Sequence, residues 1–294
     1  SEVAIRRLPA LISIFSALCL SAFAATPPAL LNDPVDISGD FHAFENYYYL
    51  ADKLAGFDAK THSGKINYQR AQLIPKHAFD NDLAAITPAK PNEFPENQYA
   101  ANPTLPFSIE FISPRTFRLR VTSGPQVHTN TEELMLAGEL PADNSWKYEK
   151  VSGGHRYASA FGSVTILENP FHIEIRDAAG KLLTRSDHAA DNRSSFTPIL
   201  PFGFVRRAAD YSRSINAAFT LEPGEKIFGC GESFTSLDKR GQKIVLWTDD
   251  ANGIETQGMY KPIPFFMSSR GYGMFMHTTS PITCDFGNAF GGVN

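Results

Sequence analysis

Period-two alternation of apolar and polar residues is the feature that most limits what this chain can become. Phe107, Ile109 and Phe111 alternate with Ser108 and Glu110. After Ser113-Pro114-Arg115-Thr116 the pattern resumes at Phe117, Leu119 and Val121, with Arg118 and Arg120 between them. Side chains along a strand point to opposite faces in turn, so two such runs across a proline-bearing turn predict a hairpin with one buried face. Phe171, Ile173 and Ile175 repeat the pattern, and Asp177-Ala178-Ala179-Gly180 turns the chain into Lys181-Leu182-Leu183. Val164 to Leu167, Ile244 to Trp247 and Gly273 to Met276 read as further short strands. Ile215, Ala217, Phe219 and Leu221 read as one continuous strand, ended by Glu222-Pro223-Gly224-Glu225. No internal repeat and no long amphipathic helix stands out. The predicted fold is mainly β, an antiparallel β-sandwich over 107–294.

Composition supports strands and turns over long helices, with 23 Phe, 20 Pro and 21 Gly. Residues 25–106 are less regular. They hold Pro-rich and Asn/Asp-rich stretches, and a few strands are expected there as part of the same domain. Ala85 to Thr104 reads as extended loop. The aromatic cluster Phe41, Phe44, Tyr47, Tyr48 and Tyr49 suits core or interface packing better than sugar binding.

The start of the chain carries an export signature. Arg6 and Arg7 precede an uncharged, mainly apolar run from Leu8 to Phe23, which closes on Ala22-Phe23-Ala24. Charge, apolar core and small-residue exit in this order predict a signal-peptide helix over 1–24, cleaved after Ala24. The run is shorter than the roughly 20 residues of a membrane span, and Ser13, Ser16 and Ser21 interrupt it. A periplasmic or secreted protein with no membrane anchor is expected. Cys19 leaves with the signal, and Cys230 and Cys284 remain. Two cysteines leave pairing open, although their strand-like settings favour free thiols.

Several kinds of chemistry have no sequence support. A net charge of −4 gives no electrostatic footprint for nucleic acid. The histidines are scattered, so neither a metal site nor a cofactor is expected. No Gly-x-Ser-x-Gly elbow is present, and Gly229-Cys230-Gly231 lacks the strand–helix context of a dinucleotide loop. Asn192-Arg193-Ser194 fits the glycosylation pattern.

The densest segment is the last. Gly229-Cys230-Gly231-Glu232-Ser233-Phe234 is followed by Trp247-Thr248-Asp249-Asp250, then Tyr260-Lys261-Pro262-Ile263-Pro264-Phe265, then Ser269-Arg270-Gly271-Tyr272-Gly273. In order and spacing these four motifs resemble the N-terminal β-sandwich of glycoside hydrolase family 31, the α-glucosidase and α-xylosidase family. The hairpin around Pro106-Phe107-Ser108-Ile109-Glu110-Phe111-Ile112-Ser113-Pro114-Arg115 also looks like that domain. The likeness is strong after Leu221 and weak before Pro106.

The resemblance implies a galactose mutarotase-like supersandwich and a parent enzyme that cleaves α-glycosidic bonds with retention. Such chemistry needs two carboxylates about 5–5.5 Å apart. The family takes both, as aspartates, from a (β/α)8 barrel that follows the sandwich. The expectation is therefore an N-terminal piece of a longer enzyme, its sandwich incomplete at the C-terminus, with no catalytic residue of its own and no activity alone. Its implied partners are that barrel and an oligosaccharide substrate. By alignment through Trp247, the family's sugar-contacting loop aspartate is Asp250, with Asp249 as the neighbouring alternative. Thr256 and Tyr260 are candidates for the same mouth. Trp247 can stack on a sugar, but a buried sandwich aromatic is the better reading. Glu232 is expected to cap backbone amides or pair with Arg240 or Arg270, and Arg270 to be structural.

Two other readings remain at this point. One is a free-standing carbohydrate-binding sandwich that is not an enzyme. The other is a sugar epimerase, which needs a His and a Glu facing each other in a cleft; His155, His172 and Glu174 are available for it.

Overall fold

The structure is a computed structural model that describes residues 35–78, 81–88, 102–127, 135–188, 200–248, 259–288 and 292–293. The chain divides into residues 1–33 and a unit from Pro34 to Asn294, and every described residue lies in the second. The expected signal peptide and the Asn192 glycosylation pattern lie outside the described residues.

Apart from one 3₁₀ turn at Ser38–Phe41, the regular structure among the described residues is strand. The first group is β1 (Tyr47–Asp58), β2 (Ser63–Ala78), β3 (Asn81–Pro88), β4 (Thr104–Ser113) and β5 (Thr116–Val121). A second group follows as β6 (Lys147–Val151), β7 (Gly154–Ala158), β8 (Gly162–Glu168), β9 (Phe171–Asp177) and β10 (Leu182–Arg185). Then come β11 (Gly203–Arg206), β12 (Arg213–Asn216) and β13 (Phe219–Thr220). The last are β14 (Ile227–Ser233), β15 (Lys243–Leu246), β16 (Met259–Ser268), β17 (Tyr272–Phe275), β18 (Ile282–Asp285) and β19 (Gly292–Val293).

Two antiparallel sheets make the sandwich. One runs β12-β11-β1-β2-β4-β5, with β3 also paired to β2; the other runs β10-β9-β8-β7-β6. Their facing side chains meet in one core. Tyr49, Ile66, Tyr68, Phe107 and Ile109 come from the first sheet, and Tyr157, Val164, Ile166, Phe171 and Ile173 from the second. The alternation read from the sequence is the cause. In β4, Phe107, Ile109 and Phe111 are buried while Ser108 and Glu110 are not. Across the hairpin, Arg118 and Arg120 both pair with Glu110 on the outer face. The predicted turn at Asp177 also forms, with Gly180 N–H donating to Asp177 O at 3.0 Å.

The stretch expected to hold a few strands supplies the long ones at the middle of the first sheet. Tyr48 through Ala51 are all buried. Tyr49 and Ala51 face the sandwich core, while Tyr48 and Leu50 pack on the other side against Leu73, Leu200 and Val205. Tyr49 stacks on Phe204 at 4.6 Å, and Tyr48 donates to Ala43 O at 2.9 Å. These tyrosines are packing residues.

One expectation is corrected. Ile215 to Leu221 is two strands in two sheets. β12 pairs with β11 in the large sheet, whereas β13 pairs with β19 and bridges to Ser186 beside β10. The chain crosses at Ala217-Ala218, where the Ala218 carbonyl accepts from Asp187 N–H at 2.9 Å. Asn216 holds the crossing by donating to Leu200 O and Pro201 O at 3.0 and 3.2 Å. Ile215 is left 45% exposed on an edge strand rather than buried.

A smaller core lies between β14-β16-β17 and β15-β18. It is built from Leu221, Ile227, Cys230, Ile244, Phe266, Cys284 and Phe286. A strap at the start of the described chain fastens to its edge. Lys243 Nζ donates to Asp36 Oδ2 at 2.6 Å, and Thr283 Oγ1 donates to Asp36 Oδ1 at 3.2 Å. Partial burial raises the Asp36 pKa, but the Lys243 ammonium and the Ser38 donors outweigh it and hold the carboxyl at about 2.

Two predictions follow from this packing. Phe107 is fully buried between Phe57 and Phe171. Phe107→Ala is expected to cost about 3–5 kcal/mol in urea unfolding, the range for truncating a core aromatic. Asp36 has a depressed folded pKa, so its contribution is present above the ordinary carboxylate value of 3.8 and fades as pH falls towards about 2. Wild type should melt above Asp36→Asn at neutral pH, and the two melting curves should converge near that acid limit.

Candidate functional site

Three of the four C-terminal motifs meet in one sheet. The Gly229 to Phe234 motif forms β14, and the Tyr260 to Phe265 motif forms β16 beside it, with Gly231 opposite Pro262 and Glu232 opposite Lys261. The Ser269 to Gly273 motif turns β16 into β17, with Gly271 at φ 91 and its N–H donating to Ser268 O at 3.0 Å.

Local chemistry explains the shape of β14. Between the pairs Gly229↔Phe266 and Gly231↔Pro262, the single residue Cys230 opposes Ile263, Pro264 and Phe265. Pro262 and Pro264 cannot donate to a ladder, so regular pairing lapses there. Gly229, Cys230 and Gly231 take φ of 122, 67 and 94. A Cβ on Gly231 would stand 2.0 Å from Lys261 O, and one on Gly229 2.6 Å from Phe265 O. Glycine is required at both places, and the irregularity turns Cys230 into the small core.

Behind this sheet sits Glu225, 2% exposed. Its Oε1 accepts from Tyr272 OH at 2.7 Å and from Ser268 Oγ; its Oε2 accepts from Glu222 N–H at 2.9 Å. Burial and then the Glu225 carboxylate push the Tyr272 phenol above its ordinary pKa, so it remains a donor. Arg270 reaches the other way and donates to the β10 carbonyls of Leu183 at 2.9 Å and Leu182 at 2.5 Å. It is structural, as its motif suggested. Arg240 donates to the carbonyls of Glu222 and Glu225 at 2.8 and 3.0 Å. Neither arginine therefore pairs with Glu232, which is exposed. That expected pairing is corrected: backbone carbonyls, not Glu232, take both guanidiniums.

Of the predicted sugar-binding residues, the structure places two in part. Trp247 is half-buried one residue past β15 and is not among the side chains packing the small core. Tyr260 is a backbone member of β16. Asp249, Asp250 and Thr256 lie outside the described residues, in the connection from β15 to β16. That connection rejoins the ladder where Ser233 pairs with Met259. Around this end Phe234 is 61%, Leu237 77% and Ile263 51% exposed. Glu225 was missed as more than a turn residue. The available signal was the Glu222-Pro223-Gly224-Glu225 turn followed by two hydroxyl-bearing residues, Ser268 and Tyr272, in the last motif.

The residues available for epimerase chemistry are otherwise engaged. His155 Nδ1 lies 3.0 Å from Tyr148 OH, and its Nε2 lies 3.2 Å from Glu168 Oε1. His172 Nδ1 donates to Pro170 O at 2.8 Å, and Glu174 pairs with Arg176 at 2.8 Å. Burial and the Lys150 charge lower the His155 pKa despite Glu168.

An all-antiparallel sandwich with these motifs on one small sheet is the architecture of a mutarotase-like domain. Residues 106–285 match the family described as the glycosyl hydrolase 31 N-terminal galactose mutarotase-like domain, and this chain belongs to that family. An alpha-xylosidase of Emericella nidulans is 38% identical over 69 residues, covering 24% of this chain and 9% of the relative. Alpha-xylosidase XylQ of Lactiplantibacillus pentosus is 41% identical over 64 residues, covering 22% of this chain and 8% of the relative. The alignments thus take in less than a tenth of either relative's length. A Flavobacterium johnsoniae GH31 dextranase, solved with glucose, shares the fold at TM-score 0.52 and 18% identity, over 83% of this chain and 24% of that one. The cycloalternan-forming enzyme of Listeria monocytogenes, solved with a pentasaccharide substrate, shares it at TM-score 0.53 and 17% identity, over 84% and 19%.

Glycine at 231 provides a direct test of the β14–β16 geometry. Gly231→Ala meets backbone on the partner strand and should destabilise by about 3 kcal/mol or more. Gly180→Ala, also at positive φ but with nothing within 4 Å of the added carbon, should cost only about 1–2 kcal/mol. Paired urea titrations read the difference.

Proposed function

We propose that this chain is the N-terminal, substrate-mouth-shaping domain of an exported, retaining α-glycosidase acting on α-xylosidic or α-glucosidic bonds in oligosaccharides. The observation that carries the reading is the meeting of three motifs in β14, β16 and β17. That sheet takes up the Asp249-to-Thr256 connection at its β16 end, while the other end leaves the β15-β18 pair. Rigid strands position a binding loop better than loops position each other.

In this reading Asp250 accepts hydrogen bonds from two sugar hydroxyls, a role that suits an ionised carboxylate. Asp249 is its competitor for that role, and Thr256, Tyr260 and Trp247 line the same mouth. The two reacting carboxylates come from a following (β/α)8 barrel, so this domain shapes substrate binding and performs no bond cleavage. The relatives named as alpha-xylosidases support the substrate class, and the glucose and pentasaccharide complexes of the fold relatives support an oligosaccharide. The signal-peptide pattern over 1–24 supports a periplasmic or secreted location.

Purified residues 25–294 should show no turnover of 4-nitrophenyl α-xyloside or α-glucoside, and measurable turnover would overturn the division of labour. In the full enzyme, Asp250→Asn should lower kcat/KM by about 10–100-fold, the cost of losing hydrogen bonds to a charged group, while Asp249→Asn stays within about threefold. The reverse result would transfer the role to Asp249.

A further inference from the structure

The small core holds a pair of thiols for which the proposed sugar chemistry has no use. Cys230 on β14 and Cys284 on β18 come from different sheets and both belong to that one buried cluster. Both are buried, at 0% and 4% exposure, and neither is in a disulfide. The backbone is arranged to make this meeting. Regular alternation from Ile227 would turn Gly229 inward; the left-handed Gly229-Cys230-Gly231 segment turns Cys230 inward instead. On the other side, Cys284 sits between Ile282 and Phe286 in regular alternation, opposite Ile244.

A cation attends the pair. Lys239 is 4% exposed, and its Nζ donates to Thr235 Oγ1 at 2.5 Å and Ser233 Oγ at 3.3 Å. The hydrogen bond from Cys284, and then the Lys239 charge, draw the Cys230 thiol below its ordinary pKa against the effect of burial. Cys284 is pushed upward by the same hydrogen bond and by burial. The two thiols are thus unequal, and Cys230 is the more readily ionised of them.

We propose that Cys230 and Cys284 are a cross-linking site, closed to a disulfide by a low-molecular-weight or protein disulfide donor and tying β14 to β18. The Cys230 thiolate attacks the donor disulfide, forms a mixed disulfide and releases one donor thiol. The Cys284 thiolate then displaces the second donor thiol and closes the protein S–S bond. Two protein thiols are oxidised, one donor disulfide is reduced to two thiols, and the two protein protons end on the donor. Because both sulfurs are buried, the exchange occurs while the two small sheets are apart, during folding or local opening. Export, proposed above, brings the chain into a compartment that supplies such donors. The site itself rests on the core geometry alone.

The test compares the native and unfolded chain. The 294-residue chain is folded with reductant, and its fold is checked by near-UV circular dichroism and a cooperative melt. It is then equilibrated with reduced and oxidised glutathione, in buffer and in concentrated urea, followed by acid quench, alkylation and peptide mapping that separates Cys19. The expected result is a Cys230–Cys284 peptide in buffer, with a formation constant at least about 100-fold above that in urea, because the fold holds the partners together. The oxidised protein should melt several degrees above the reduced one. A Cys284→Ser chain, near in size, should melt identically with and without oxidant. Three outcomes overturn the proposal: both thiols free at excess oxidised glutathione, a stable mixed disulfide on Cys230 alone, or a native constant no greater than the unfolded one.

Discussion

Strand β1 meets water on neither face along Tyr48 to Ala51. One side of it closes the sandwich core and the other carries a second apolar layer. It also has a strand on each edge, β11 and β2. A strand walled on four sides leaves its backbone no partner but its neighbours, because an unpaired buried amide or carbonyl costs a large part of a hydrogen bond. Its register with β2 and β11 therefore fixes where those strands lie. Through β2 it fixes β4 and the hairpin to β5, and through Tyr49 and Ala51 it fixes the spacing to β8 and β9. The small C-terminal core is attached to this frame by Arg270, which joins its hairpin to β10.

This same double burial limits what the sequence reveals. β4 and β9 are legible because burial on one face only writes a period of two into the residues. Tyr47 to Ala51 has no such period, since both faces are apolar, and reads as an aromatic cluster instead. The run from Ile215 to Leu221 fails in the opposite way. It alternates cleanly, but Ala217 and Ala218 carry too little bulk to report that the chain changes sheets between them, and Asn216, which holds the crossing, reads as a polar interruption. A local pattern cannot distinguish a strand that continues from two strands joined end to end.

At the candidate site the motif residues are legible as letters, whereas their geometry is not. That Cys230 faces inward depends on Pro262 and Pro264 across the ladder. Glu225 reads as the end of a turn, and becomes a buried acceptor only when Ser268 and Tyr272 arrive from 43 and 47 residues away. Arg270 reads as structural from its motif, but what it holds, the β10 carbonyls 87 and 88 residues earlier, lies outside the motif. Each role is created by a partner distant in sequence, so no window around the residue contains it. The family resemblance bridged that distance for the fold, because the order and spacing of four motifs already encode it.

The strap at Asp36 has a consequence for how the molecule is made. Its partner Thr283 lies 247 residues further along the chain. A ribosome adds about 5–20 residues each second, so the strap waits tens of seconds before its anchor exists. The segment that emerges early is among the last to be secured. During that interval β18 has yet to be made, so the strap stays unfastened until the two ends of the described unit are joined.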